Sequence, residues 1–240
     1  MSSSRSPLAM AQATLRRFRV IAVILVAVTL FLGVVALGQG TSGGGATEPQ
    51  ASPSTVTKPV LERRDPQDPA AVGPVDAPLV LIEWADLRCP FCAQFGRETL
   101  PTIEREYIDS GKIRTEMHDV AFFGEQSEQA SVAARAAGRQ GKYPDYLRTV
   151  FAAAPPSGHP DLPREKLVAF ARAAGVPDLA RFEADLTDPE LLAAVKTDTL
   201  AAHNLGVNSV PFFVAGGTAV SGAPPVDRFR AYLDAALAKK

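Results

Sequence analysis

Residues 85–95 read ADLRCPFCAQF, and Cys89 and Cys92 within them are the only two cysteines of the 240-residue chain. Two thiols separated by two residues suit three jobs: half of a zinc site, a structural crosslink or a redox pair. Upstream, LVLIEWA (79–85) is a short apolar run bounded by turn signals, the pattern of a strand in a sheet covered on both faces. Downstream, Phe91, Phe95, Leu100, Ile103 and Tyr107 recur at mostly helical spacing, and Pro101 predicts a kink. Alternation of Ile113, Thr115 and Met117 predicts a second strand over 112–120. The unit is strand, cysteine pair at a helix start, helix, strand. A parallel return makes it a right-handed crossover in an α/β fold.

From 125 to 203 the chain turns helical and alanine-rich. Segments are predicted at 125–138, 143–153, 164–174 and 189–203, with a shorter one at 178–186 and the loop APPSGHPDLP at 154–163. VPFFVAGG (210–217) and TAVSG (218–222) then read as a β-hairpin, because Gly216-Gly217 supplies the positive φ of a tight turn. Val226, Phe229, Leu233, Ala236 and Leu237 line one face of a C-terminal helix. The folded domain is expected over 69–240, with a helical insertion at about 124–204.

The N-terminal part has a different character. Arg5, Arg16, Arg17 and Arg19 precede an uncharged apolar run at 20–37, and the next basic residue is Lys58. A run of about 18 residues is long enough to cross a bilayer, and the charge asymmetry orients it. The expectation is a cytoplasmic segment at 1–19, a single transmembrane helix at 20–38 and an extracytoplasmic remainder. The competing reading is a cleaved signal peptide, for which Ala36-Leu37-Gly38 offers a poor site. No cysteine follows the run, which excludes a lipid anchor there. Residues 39–68, rich in Gly, Ser, Thr and Pro, read as a flexible linker. Apolar residues make up 46% of the chain, enough for a core, and the formal net charge of −1 excludes a strongly basic nucleic-acid surface.

The chemistry turns on the thiolate, the nucleophile of disulfide exchange. If a helix starts at Pro90, a residue suited to a first turn, Cys89 stands at its N-terminus, where unpaired amides and the helix dipole favour a negative charge. Cys92 lies one turn on. Cys89 is then the more exposed, attacking thiol and Cys92 the resolving one. Zinc needs two further ligands, and the three histidines, His118, His159 and His203, are scattered without ligand spacing. They read as structural. A crosslink closing so short a loop constrains little of the unfolded chain.

VGPVDAPLVLIEWADLRCPFCAQF, a following strand, an alanine-rich helical block and GVNSVPFFVAGG occur in this order. Over residues 72–240 the chain therefore resembles the DsbA-like branch of the thioredoxin superfamily. The resemblance implies a thioredoxin-like fold with an inserted α-helical domain, and an extracytoplasmic thiol–disulfide oxidoreductase whose only redox group is the Cys89–Cys92 disulfide. It also implies a cis Val210–Pro211 peptide facing the cysteines; on its residues alone, Pro211 fits equally well the start of a strand in trans. Val210, Phe91 and Pro90 become the substrate-facing positions, with the Val210 backbone pairing with an extended segment. Glu83 becomes a buried proton acceptor for Cys92; the plain alternative is an exposed glutamate at a strand end. Asp86 reads as a cap or loop residue and Trp84 as packing. The family's oxidising members carry a histidine just before the second cysteine. This chain has Phe91, which leaves the helix N-terminus and Arg88 to stabilise the thiolate, and leaves oxidising strength open.

The implied partners are reduced exported proteins and a membrane oxidase that regenerates the disulfide, with the membrane itself engaged by the N-terminal helix and no nucleic acid. Two other readings are a reductase or isomerase working through reduced Cys89, and a non-catalytic binding module with a static disulfide.

Overall fold

The computed structural model describes residues 61–239. The expected transmembrane helix at 20–38 and most of the expected linker lie outside them. Among the described residues, no helix is long and apolar enough to cross a membrane.

A five-stranded sheet organises the fold. Its strands are β1 (Ala71–Val72), β2 (Leu79–Ala85), β3 (Ile113–Asp119), β4 (Phe212–Ala215) and β5 (Thr218–Ser221), in the spatial order β1-β3-β2-β4-β5. β2 runs parallel to β3 and antiparallel to β4; the two edge pairings are antiparallel. β2 is central, and all of its residues are buried, as its unbroken apolar run requires. The connection from β2 to β3 carries α1 (Pro90–Glu98), the short α2 (Leu100–Ile103) and a π-helical turn at Glu104–Ile108. Between β3 and β4 lie α3 (Glu125–Gly138), α4 (Tyr143–Ala152), α5 (Arg164–Ala173), α6 (Leu179–Asp185) and α7 (Pro189–Asn204). These five form the expected helical insertion. The C-terminal α8 (Val226–Leu237) follows the hairpin, whose turn holds Gly216 and Gly217 at φ 55° and 76°.

Strand alternation divides the core in two. Leu79 and Leu81 face a cluster with Phe95 of α1, Phe213 of β4, and Phe229 and Leu233 of α8. The rings of Phe95, Phe213 and Phe229 meet pairwise with centroids 4.5–4.9 Å apart. Each buried ring contributes about 2 kcal/mol through burial alone, and together they fix α1 against the sheet. Val80, Ile82 and Trp84 face the opposite cluster, shared with the insertion. The insertion is also tied to the end of β3: Arg135 of α3 bridges Asp119 at 2.9 Å and Asp198 of α7 at 2.7 Å.

Three features depart from the sequence reading. The helix after the cysteines breaks at Thr99, two residues before Pro101. Pro101 has no N–H to give to the carbonyl four residues back, so the chain starts a new helix with the proline in its first turn. Second, a two-residue edge strand, β1, precedes β2. Third, residues 61–68, assigned by composition to the linker, are part of the fold. The amides of Arg63 and Arg64 donate to the Glu116 carboxylate at 2.6 and 2.8 Å, and Arg114 Nε donates to the same carboxylate at 3.0 Å. Leu61 packs on the core.

The Arg114–Glu116 pair is almost wholly buried. Removing one member of such a pair strands the other charge away from water, at a cost of about 3 kcal/mol or more. Glu116→Ala should therefore lower the urea unfolding midpoint sharply, and Glu116→Gln, which keeps the side-chain volume and one acceptor oxygen, should lower it less. Equal midpoints for wild type and Glu116→Ala would contradict this role.

Candidate active site

The turn from β2 to α1 positions the cysteines. Cys89 is the N-cap of α1, with φ −76° and ψ 120°, and Pro90 opens the first turn. Cys89 Sγ accepts from the Cys92 amide at 3.4 Å and donates to the Val210 carbonyl, also at 3.4 Å. Both thiols are free. The Val210–Pro211 peptide is cis.

The two thiols have opposite acidities. Cys89 is held below its ordinary 9.0, first by a hydrogen bond from the Cys92 thiol and further by the amides of Cys92 and Phe91; burial and the charge of Asp86 oppose this. Cys92 is pushed well above 9.0, first by burial, then by the neighbouring Cys89 and the charge of Glu83. Helix geometry accounts for the split. Residue 89 sits where amides point outward, whereas residue 92 sits inside the first turn, facing the core.

Glu83 lies on β2, opposite Met117 and Phe213, on the face covered by α1. It is 4% exposed, so it is not a strand-end surface residue. Burial raises its carboxyl from 4.5 to about 8. It borders a cavity of about 50 Å³ that reaches Gly96, Thr115 and Glu104.

Asp86 is fully buried. Its carboxylate accepts from the amides of Arg88, Phe122 and Phe123 at 2.8, 2.7 and 3.3 Å and from Ser127 Oγ at 2.9 Å, so it welds the cysteine turn to the start of the insertion. Trp84 packs against His118 and Phe212. Arg88 differs from expectation. Its guanidinium donates to the carbonyls of Pro160 at 2.8 Å and Phe123 at 2.7 Å, so it clamps two loops.

Cys89, Pro90, Phe91 and Val210 line one groove of about 510 Å³. Phe91 is 59% exposed there, a large ring turned to solvent. The groove is also lined by residues that sequence reasoning missed: Phe122, Phe123, His159 and His203. His203 stacks on Phe122 and His159 on Phe123, with centroids 4.6 and 3.9 Å apart. Two signals pointed to three of them, His159 excepted. Phe122 and Phe123 follow the carboxyl end of β3, where open α/β sheets place ligands, and His203 closes the helix that leads directly into Val210. His118 is half-buried and stacks on Trp84, and loss of solvent around its ring lowers it to about 4. Among the described residues no metal-ligating cluster occurs.

With this geometry in view, the chain can be set beside known proteins. Residues 65–235 match the family described as thioredoxin. A probable disulfide bond formation protein D from Bacillus anthracis is 25% identical over 173 residues, which span 70% of this chain and 78% of that protein. Oxidised BdbD from Bacillus subtilis superposes with a TM-score of 0.65 at 19% identity, over 70% of this chain and 92% of that one. A thioredoxin-like oxidoreductase from Silicibacter pomeroyi does so with a TM-score of 0.60 at 26% identity, over 72% and 93%. The sheet with its helical insertion is thus the thioredoxin-like fold that the motifs imply.

The environment of Glu83 has a consequence for stability. A carboxyl raised from 4.5 to about 8 keeps a proton in the folded state that the unfolded chain releases, so stability falls as pH rises between those values. Glu83→Gln, neutral throughout and of similar shape, removes this slope. In the reduced protein, the stability of Glu83→Gln relative to wild type should rise by a few kcal/mol across that window in denaturation series. Parallel curves would show that Glu83 is not held protonated.

Proposed function

The chain belongs to the thioredoxin family, and on that footing we propose that it is an extracytoplasmic thiol–disulfide oxidoreductase that donates the Cys89–Cys92 disulfide to reduced exported proteins. The observation that carries this reading is the asymmetry of the pair: a Cys89 thiol of lowered pKa opens on the groove, and a Cys92 thiol of raised pKa is buried behind it.

The steps follow from that asymmetry. A substrate thiolate attacks Cys89 Sγ, the S–S bond to Cys92 breaks, and Cys92 leaves with the electron pair. Its high proton affinity is met by Glu83, which is protonated up to about pH 8 and is the one acid of β2. A second substrate thiolate then attacks the substrate sulfur of the mixed disulfide and releases Cys89, whose low pKa makes it the better leaving group. The substrate gains a disulfide, and the enzyme is left with two thiols. A membrane oxidase that takes up those two electrons closes the cycle. Phe91 contributes apolar contact but no charge to the thiolate, so the driving force for oxidation rests on the amides of the first turn and on Cys92.

Val210 and Pro90 flank the attacked sulfur and give an extended substrate segment its backbone and apolar contacts. Residues 20–38 anchor the chain in the membrane and the segment after them carries the domain clear of the surface, in keeping with the apolar run and the charge asymmetry. The name of the Bacillus anthracis relative, a probable disulfide bond formation protein, supports the same reaction class.

Cys92→Ser tests this reading. It removes the resolving thiol, so reductant-sensitive adducts between Cys89 and exported proteins should accumulate in cells, and Cys89→Ser should give none. Absence of adducts with Cys92→Ser would overturn the exchange reaction and favour a static crosslink.

A further inference from the structure

His159 is held in the groove by two contacts of its own and by the grip of Arg88 on its neighbours. Its ring stacks on Phe123 with centroids 3.9 Å apart. Its Nδ1 lies 3.1 Å from the carbonyl of Arg88, the residue before Cys89. The next carbonyl in the chain, that of Pro160, takes the Arg88 guanidinium at 2.8 Å, and the Phe123 carbonyl takes it at 2.7 Å. Arg88 thus grips the residue after His159 and the ring's stacking partner with its side chain, while its own carbonyl engages the imidazole.

The partner of Nδ1 decides the tautomer. A carbonyl oxygen only accepts, so Nδ1 carries the hydrogen and donates it, and the lone pair of the neutral ring resides on Nε2. His159 is solvent-exposed and lines the same groove as Cys89, and no protein group among the described residues takes Nε2. His203 lines the same groove, but no hydrogen bond among the described residues fixes its tautomer. The charged and titratable groups around His159 are otherwise engaged. Arg88 is spent on the two carbonyls, the Asp161 carboxylate is bound by the Gln126 amide at 2.6 Å, Lys166 reaches the Asp161 carbonyl, and Asp86 is buried under four donors.

We propose that His159 is the general base for the incoming substrate thiol: its Nε2 takes the proton of that thiol as the sulfur attacks Cys89, and returns it when the step runs backward. This rests on the exchange reading above and adds to it the one proton that Glu83, buried on the far side of the pair, does not reach. The balance is complete. The substrate S–H bond breaks, its proton goes to Nε2 and its electron pair forms the new S–S bond to Cys89, while the pair of the old S–S bond leaves with Cys92. Because His159 supplies ionisation, the site should favour substrate cysteines of ordinary acidity, which are mostly protonated at neutral pH.

The test is single-turnover oxidation of a series of small monothiols of graded pKa by the disulfide form of the full chain, as wild type and as His159→Asn, an amide that can still donate to the Arg88 carbonyl. At neutral pH the variant should be slower by roughly tenfold or more with thiols of ordinary pKa. The gap should shrink to under about twofold as the thiol becomes acidic enough to arrive already ionised. The rate of the variant should also rise more steeply with pH than that of wild type. A variant slowed by one constant factor across all thiols, or not slowed at all, would overturn the role of His159 while leaving the exchange reaction standing. A wild-type disulfide inert toward every thiol would overturn both.

Discussion

The amide of Cys92 points at Cys89 Sγ because residue 89 closes the N-terminus of α1 instead of lying within it. That placement depends on a chain of simpler constraints. β2 must be straight and buried, so that its carboxyl end arrives at a fixed point. Pro90 must follow at once, because its fixed φ and missing N–H suit the first turn and nothing later. Asp86 must hold the turn, which it does by accepting four hydrogen bonds, three of them from the loop and helix that open the insertion. Reactivity at Cys89 is therefore a property of where a helix begins.

The same placement explains why two cysteines of one turn behave so differently. Cys89 caps the helix and keeps a sliver of its surface on the groove, whereas Cys92, three residues on and on the same face, lies one turn deeper with none. There Cys92 meets the apolar layer under α1, and Glu83 meets it from below. Burial disfavours the charged form of each, so the pair holds protons in reserve beneath a sulfur that readily gives its proton up. The insertion also lines the groove and reaches the cysteine turn through Asp86 and Arg88, which makes the two parts of the domain one site.

Much of this was legible in the chain. The strand, the cysteine pair at a helix start and the hairpin announced themselves through local rules: an apolar run, Pro90, and two glycines in succession. The helices of the insertion were readable to within a residue or two, because alanine-rich segments broken by Gly and Pro leave few alternatives. What was not legible depends on packing. β1 is two residues long and exists through its pairing with β3 and the Glu116 cluster. Thr99 ends α1 because Pro101 needs a new first turn, a conflict that periodicity does not weigh. Arg88 read as a charge beside a thiol, yet its guanidinium is consumed by carbonyls from two loops. His159 stands 71 residues from Arg88, and nothing in its own neighbourhood shows that the fold returns it to the cysteine turn.

The claim on which the account stands is that the first turn of α1 makes Cys89 the acidic thiol. It is tested most directly by following thiolate absorbance in the ultraviolet while the reduced protein is titrated, with Cys89→Ser and Cys92→Ser as companions. The account predicts a transition below 9.0 that persists in some measure in Cys92→Ser, where the amides remain, and vanishes in Cys89→Ser. A reduced protein with no thiolate transition below 9.0, or one whose low transition survives Cys89→Ser, would contradict it.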